Sequence, residues 1–264
     1  MLEIGSGILG DRYTLKRRVL TYHEGGPVVW EATDTIENPL LVKTWAYSGD
    51  QPDDLYRAQW DLELRNLFRI SSSPGAEMRL VVLRDAGIDR NAKCLAMVLA
   101  SPGLVPLDAL LIERALTSWL RELANPSTRV TVWRSLRNLA LGLTQLHEQH
   151  MLHRDISTRA VFLDPLLGPE SMRLGGFELT VRVGSFRETD VGARYVLAPE
   201  FYANSLATHT FESDWYQFGV LVATVLVGSG TTLEAPPPAR HAETLRRVQA
   251  DVKLQELERD LLLL

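Results

Sequence analysis

The chain has 264 residues, of which 45% are hydrophobic and 23% charged, and its formal net charge is −5. This composition is typical of a globular protein with a large core, built as one domain or as one domain of two lobes. The acidic balance argues against a general nucleic-acid surface, and the single cysteine, Cys94, excludes a disulfide framework and a Cys-x-x-Cys metal site. The N-terminus lacks the features of a signal peptide, and no apolar run approaches the ~20 residues of a membrane span, so we expect a cytoplasmic location without membrane contact.

The first hundred residues predict a sheet with one helix. Short β-prone runs alternate with turn signals over residues 12–47, and two more such runs, "RLVVLRDAGI" and "CLAMVLA", follow later. Between them, residues 53–70 carry apolar side chains at helical spacing and end at "SSSPG". The predicted order of elements is therefore β-β-β-α-β-β.

The remainder of the chain predicts mostly helix. "PLDALLIERALTSWLREL" predicts one helix or two, and "TRVTVWRSLRNLALGLTQLHEQH" predicts a strongly amphipathic one. "SDWYQFGVLVATVLVG" is apolar nearly all round, which is typical of a buried helix. "LHRDISTRAVFLD" and "MRLGGFELTV" predict short strands and loops, whereas "APPPAR" predicts a break before a last amphipathic segment, "ETLRRVQADVKLQELERD".

Six short motifs occur in order along the chain. They are "LLVK" ending at Lys43, Glu63 in "ELRNLFRI", "HRD" at 153–155, "LGGFEL" at 174–179, "GARYVLAPE" at 192–200 and "SDWYQFG" at 213–219. Their order and spacing resemble those of protein kinases, where V-A-I-K, the helix-C glutamate, H-R-D, D-F-G, A-P-E and the start of helix F follow one another. The opening strands are similar to those of bacterial serine/threonine kinases.

This resemblance implies an α+β fold of two lobes. Residues 1–100 would form an N-lobe with a five-stranded antiparallel sheet and helix C, and residues 101–264 a mostly helical, partial C-lobe. We expect further domains to follow in a longer protein, because few residues remain after helix F and the chain ends in "LLLL". The alternative is an abridged C-lobe that docks its last helix on a partner, with an apolar interaction surface left by the missing helices.

The resemblance also implies a scaffold of core residues. Lys43 and Glu63 would pair and fix helix C. Three side chains would stack through the core and anchor on the helix-F aspartate, and the A-P-E glutamate would seek an arginine further along the chain. These scaffold positions are Leu67, His153, Phe177, Asp214 and Glu200, and the arginines available to Glu200 are Arg240, Arg246 and Arg247.

The positions that would bind magnesium depart from the kinase pattern. Kinases hold two Mg²⁺ ions with the D-F-G aspartate and the catalytic-loop asparagine. Here Gly176 replaces the aspartate, Glu178 replaces the glycine of D-F-G, and Ala160 replaces the asparagine. Hard cations need oxygen ligands, which glycine and alanine side chains lack. The two acids that could substitute are Glu178 and Asp164. Glu178 lies two residues too late in the sequence to point at the metal position, and we expect neither acid to restore a metal site.

The nucleotide slot departs from the pattern as well. Glu24 and Pro27 stand at glycine positions of the phosphate-binding loop, where a negative charge and a missing N–H are unfavourable. Leu41 replaces the alanine of V-A-I-K, and Phe162 replaces a leucine beneath the adenine. Both replacements add volume to one cavity, so we expect side chains to occlude part of the slot.

The catalytic loop keeps its aspartate but loses its lysine. Ser157 replaces the lysine that assists transfer, and we expect Asp155 to order its own loop rather than to act as a base. Arg154 of such loops often meets a phosphorylated residue on the activation segment. Three hydroxyls are candidates for that modification: Thr180, Ser185 and Thr189.

Together these features predict a catalytically inactive kinase-like domain, a pseudokinase. It would serve as a protein-interaction or regulatory module of a larger bacterial protein, bind another domain or a protein partner, and need no cofactor. Lys43, Glu63 and Asp155 would then be vestigial. Two alternatives require ATP: an atypical active serine/threonine kinase with a rearranged metal site, and a sensor domain that binds ATP without phosphotransfer. The partner and the oligomeric state are left open.

Overall fold

The structure is a computed structural model that describes residues 2–21, 26–100, 105–112, 118–184, 197–203, 208–227, 237–250, 255–256 and 258. It is α+β, with an antiparallel sheet and one long helix in the first hundred residues and mostly helix thereafter. The strands are β1 (Gly7–Ile8), β2 (Tyr13–Thr21), β3 (Val28–Asp34), β4 (Pro39–Ala46), β5 (Val82–Asp89), β6 (Cys94–Ala100), β7 (Val105–Pro106), β8 (Met151–Leu152), β9 (Val161–Leu163), β10 (Arg173–Leu174) and β11 (Val181–Arg182). The α-helices are α1 (Asp54–Ser71), α2 (Leu107–Ile112), α3 (Ser118–Arg121), α4 (Pro126–Glu148), α5 (Glu200–Ala203), α6 (Phe211–Val227) and α7 (Pro237–Ala250).

The large antiparallel sheet has the strand order β1-β2-β3-β4-β6-β5. Five of its strands are those that the sequence predicts. The sixth, β1, has only two residues and pairs Gly7 with Thr14, so no alternating pattern announces it. Strands β4 and β6 are the most buried because both faces of the sheet are covered.

Helix α1 covers one face of the sheet. Asp53 caps its first turn by accepting a hydrogen bond from the backbone N–H of Leu55 at 2.8 Å, which satisfies one of the unpaired donors of a helix start. The buried side of the helix carries Trp60, Glu63, Asn66, Leu67 and Ile70. Each of these positions has another of them three or four residues away, so together they form the stripe that packs on the core.

The N-terminal residues cover the opposite face of the sheet. Leu2, Ile8 and Leu9 belong to a second apolar cluster there. The backbone N–H of Leu9 donates to Asp89 Oδ2 at 2.5 Å. Because Asp89 ends β5 and Leu9 follows β1, this bond ties the segment after one edge strand to the end of the other edge strand.

The helical part is organised around α4 and α6. Helix α4 begins after Asn125, whose side chain accepts from the N–H of Ser127 at 3.0 Å, and it buries a leucine-rich stripe. Two small sheets, β10-β9-β7 and β11-β8, accompany these helices; strands β8 to β11 lie between α4 and α6 in the sequence, whereas β7 precedes α4.

The last helix differs from the sequence prediction. Helix α7 begins at Pro237, within the run expected to break the chain, because proline is compatible with the first turn of a helix. Among the described residues, no helix combines the length and the apolar character that crossing a lipid bilayer requires.

Candidate functional site

Lys43 of β4 and Glu63 of α1 form a buried ion pair. Lys43 Nζ donates to Glu63 Oε1 at 3.0 Å and to Oε2 at 2.8 Å. Burial is the largest influence on both groups: it raises the pKa of Glu63 to about 7 against the opposing effect of Lys43. Burial also disfavours a charged Lys43, but Glu178 and Glu63 outweigh it and raise the pKa of that ammonium. The pair therefore fixes α1 against the sheet.

Glu178 also contacts Lys43, a partner that the motif pattern does not assign to it. Its Oε1 accepts from Lys43 Nζ at 2.5 Å. The reason is local backbone geometry: Gly176 adopts a left-handed conformation with φ of 74°, and Phe177–Leu179 form one 3₁₀ turn. This turn brings the carboxylate of residue 178 back toward the sheet.

The residues that stand at the magnesium-binding positions of the kinase pattern lie side by side. A Cβ built on Gly176 would lie 3.2 Å from Ala160 Cβ and 3.7 Å from Glu178 Oε2. Gly176, Ala160 and Glu178 are thus brought together as the motif spacing predicts, but only Glu178 carries an oxygen ligand. Within the described ranges, no group of three or more His, Cys, Asp or Glu side chains has the arrangement of a metal site.

The predicted core stack converges on helix α6. The rings of His153 and Phe177 lie 5.4 Å apart, and His153 Nε2 lies 2.8 Å from the carbonyl oxygen of Gly175. Burial lowers the pKa of His153, so the imidazole is held neutral. Leu67 and Phe177 are buried in the same apolar cluster. Helix α1, the catalytic-loop segment and the turn after Gly176 therefore meet at this stack.

Asp214, in the first turn of α6, anchors the stack by binding the backbone of the catalytic-loop segment. It is fully buried and accepts hydrogen bonds from the backbone N–H groups of His153 and Arg154 at 2.8 Å each. Nε2 of His147 and Nε2 of His209 lie 2.9 Å from its two oxygens and donate to them. Burial alone would raise the pKa of Asp214, but these two imidazole hydrogen bonds outweigh it and hold the pKa well below the ordinary value.

The catalytic-loop segment is held by the same core. Asp155 is half-buried, and its backbone N–H donates to His153 Nδ1 at 3.3 Å. Ser157 and Ala160 share a turn, in which the N–H of Ala160 donates to the carbonyl of Ser157 at 3.0 Å. The N–H of Ile156 donates to Gln217 Oε1 of α6 at 2.9 Å. The first part of the loop is thus hydrogen-bonded to α6, and its second part is closed by its own turn.

A small cavity lies where the nucleotide slot of the motif pattern is expected. It encloses about 20 Å³ and is bounded by Leu41 and Phe162, the two side chains expected to fill it. The cluster of Lys43, Glu63 and Glu178 and further apolar residues form the rest of its lining. Leu41 is 1% exposed and Phe162 4%. Pro27 is buried and immediately precedes β3, whereas Glu24 lies outside the described residues.

The activation-segment residues are described in part. Thr180 is fully buried and its carbonyl accepts from Asn66 Nδ2 at 2.7 Å, so its hydroxyl is inaccessible to a modifying enzyme in this conformation. Ser185 and Thr189 lie outside the described residues. Glu200 accepts a hydrogen bond from Ser213 Oγ of α6.

The arginines expected for Glu200 have other roles where they are described. Arg246 and Arg247 of α7 both pair with Glu243, at 2.6 and 2.9 Å. The side chain of Arg240 lies outside the described residues. The contact of Glu200 with α6 is therefore made through Ser213.

Sequence reasoning missed three polar groups of the core. His147 and His209 converge on Asp214 from positions with no recognisable spacing. Glu258 is the third: its carboxylate accepts from Arg129 Nε at 2.6 Å and from Trp133 Nε1 at 2.7 Å. The one sequence signal for this site is that Arg129 and Trp133 are four residues apart on α4, so their side chains lie on the same face of the helix and can bind one carboxylate.

The sheet with its helix, the Lys43–Glu63 pair and the loop anchored on Asp214 define a protein-kinase-like domain. Residues 82–260 match the family described as protein tyrosine and serine/threonine kinase, and the chain belongs to this family.

Curated relatives agree with this assignment. A 186-residue stretch is 30% identical to Receptor-interacting serine/threonine-protein kinase 3 of Homo sapiens, covering 62% of this chain and 35% of that protein. Serine/threonine-protein kinase Nek4 of Mus musculus is 31% identical over 97 residues, which are 37% of this chain and 12% of Nek4. Serine/threonine-protein kinase polo of Drosophila melanogaster is 29% identical over 115 residues, 42% of this chain and 18% of polo. The chain thus spans about a third or less of the length of these relatives.

Proposed function

We propose that this chain is a catalytically inactive, protein-kinase-like domain that serves as an interaction or regulatory module of a larger protein. Residues 1–100 would be its N-lobe and residues 101–264 part of its C-lobe. Its binding partner would be another domain of the same protein or a separate protein. The bacterial origin suggested by the opening strands remains a prediction, which the animal relatives do not test.

The volume of the nucleotide slot carries this proposal. Pockets for small molecules and cofactors typically enclose roughly 300–1,000 Å³. The cavity beside Leu41 and Phe162 encloses about 20 Å³, which suits about one water molecule. This small volume supports the proposal that Leu41 and Phe162 occupy space that the base of a nucleotide would need, since packed interiors yield little.

The chemistry of the metal positions supports the same proposal. Magnesium in phosphoryl transfer bridges the phosphates and neutralises their charge. Gly176 and Ala160 offer it no side-chain oxygen. The carboxylate nearest to them, that of Glu178, already accepts a hydrogen bond from Lys43. Asp155 then faces no metal-bound phosphate and has no proton to accept from a substrate.

The retained scaffold explains how such a domain stays folded without ligand. The ion pair of Lys43 with Glu63 and the four hydrogen bonds to Asp214 hold the sheet, α1, the catalytic-loop segment and α6 together. A rigid fold that presents constant surfaces is what an interaction module needs, since binding costs less when the surfaces are already ordered.

One second candidate has a specific observation in its favour. The Lys43–Glu63 pair at 2.8 Å is the arrangement that active kinases require, and Asp155 is retained. An atypical active kinase, or a sensor that binds ATP without transfer, would use these residues after the slot opens.

A thermal-shift titration with ATP separates the candidates. Any ligand that binds the native chain raises its melting temperature in proportion to the logarithm of its concentration above Kd. The proposal predicts no shift with ATP, whether Mg²⁺ or EDTA is present. A shift that needs Mg²⁺ would favour the active kinase, and a shift in EDTA would favour the sensor. The Asp155→Ala variant is the matched control, because loss of that carboxylate leaves the slot unchanged.

A further inference from the structure

Lys43 is surrounded by groups that match its hydrogen-bonding capacity. An ammonium has three N–H donors. Glu63 accepts through both oxygens at 3.0 and 2.8 Å, and Glu178 Oε1 accepts at 2.5 Å. The ring centroid of Trp45 lies 4.9 Å from the same nitrogen, within the range of a cation–π contact. The side chain of Lys43 is only 2% exposed as a result.

The position of Glu178 corresponds to that of a ligand phosphate. In kinases with a working V-A-I-K lysine, the ammonium pairs with the helix-C glutamate on one side and with nucleotide phosphates on another. Here the first partner is Glu63, and the second anion comes from the protein itself. A Cβ at Gly176 would make ordinary contact with Glu178 Oε2 at 3.7 Å, so an aspartate there would put two carboxylates close together.

We infer that Glu178 is a built-in anionic ligand of Lys43, which takes the place of a phosphate and holds α1 against the sheet without nucleotide. It joins three separate elements: β4 through Lys43, α1 through Glu63, and the turn that follows Gly176. It also excludes phosphate-bearing molecules from Lys43. At a pH above the pKa of Glu63, the charged Lys43 and the two ionised carboxylates of Glu63 and Glu178 have a net charge of −1, and a further anion would meet repulsion at short range.

This role differs from that of the Lys43–Glu63 pair alone. Glu178 is the partly accessible member, with 24% of its side chain exposed, whereas Glu63 is 5% exposed. A Gln at position 178 keeps the shape but removes the charge, and it leaves Lys43 and Glu63 as a neutral pair. The variant is therefore expected to fold, and its change should be confined to α1 and to Lys43.

Hydrogen exchange of the whole chain tests the inference. Glu178→Gln should raise the exchange rate of α1 amides about tenfold, since a hydrogen bond between charged groups is worth about one factor of ten in a local opening equilibrium. Exchange in α4 should be unchanged and serves as the internal reference. Glu170→Gln, at an exposed glutamate outside the cluster, is the matched control and should leave both helices unchanged.

Binding of inorganic tripolyphosphate is the second readout. Glu178→Gln should bind it at least tenfold more tightly than the unmodified chain or Glu170→Gln, because the anionic charge beside Lys43 that repels a phosphate is then removed. Three results overturn the inference: α1 exchange that is equal in Glu178→Gln and Glu170→Gln, an increase that is equal in α1 and α4, and tripolyphosphate binding that is equally tight in the two variants. None of these results bears on catalysis, so failure here is distinguishable from a positive ATP shift, which would refute the proposed function instead.

Discussion

Replacement of Leu41 by alanine tests whether side chains occlude the nucleotide slot. Leu41 is 1% exposed and bounds the 20 Å³ cavity, so Leu41→Ala should lower the free energy of unfolding by about 3 kcal/mol, from lost burial and from the enlarged cavity. Alanine is also the residue that the kinase pattern has there. The new space should admit an adenine ring, and adenosine, which has no phosphate to meet Glu178, is the suitable probe.

The assay is urea unfolding with and without adenosine. At ten times its Kd, adenosine should return about 1.4 kcal/mol of stability to Leu41→Ala and none to the unmodified chain. Leu139→Ala is the matched control, since Leu139 is equally buried but lies on α4 away from the cavity. The reasoning is refuted if adenosine stabilises the unmodified chain, or if Leu41→Ala and Leu139→Ala respond to adenosine alike.

Three further predictions concern the charged groups of the core. Asp214→Asn should lower the free energy of unfolding by about 3 kcal/mol or more, because an amide NH₂ faces buried donors that need an acceptor; a loss below about 1 kcal/mol in urea would contradict the anchoring role. Glu258→Gln should lower the free energy of unfolding by about 3 kcal/mol, because it leaves the buried guanidinium of Arg129 without its counter-charge. Equal melting temperatures of the variant and the unmodified chain would count against this prediction. The third concerns pH: burial first, and then the charge of Glu178, raise the pKa of Glu63 to about 7 from an ordinary 4.5. Between these two pH values Glu63 keeps its proton in the folded chain but has lost it in the unfolded chain. The contribution of Glu63 to the free energy of unfolding therefore falls by at most ~3 kcal/mol as the pH rises from 4.5 to about 7. Glu178→Gln should flatten that fall, and an unchanged melting-temperature difference between pH 5.5 and 7.5 would speak against it.

The fold and the outline of the site could be predicted because local patterns and motif spacing agree. The alternation of β-prone runs and turns placed five strands of the large sheet, apolar spacing placed α1 and α4, and a run that is apolar nearly all round placed α6. The motif order then put Lys43 and Glu63 on facing elements, where the structure pairs them. Consistency between local preference and global arrangement makes such predictions work.

The remaining features depend on tertiary geometry that one sequence does not encode locally. Glu178 turns toward Lys43 because of the left-handed backbone at Gly176, which no side-chain pattern reveals. Arg129 and Glu258 are separated by 129 positions along the chain. Strand β1 is too short to carry an alternating pattern, and it is held by pairing with β2 rather than by its own preference.

Phosphotransfer by the full chain tests the central claim most directly. The chain is incubated with Mg²⁺ and radiolabelled ATP, with and without a generic protein substrate, beside the Asp155→Ala variant. The account predicts equal, background-level labelling of the two proteins, because Gly176 and Ala160 supply no metal ligand and Leu41 and Phe162 fill the slot. Labelling by the unmodified chain that disappears in Asp155→Ala would contradict it.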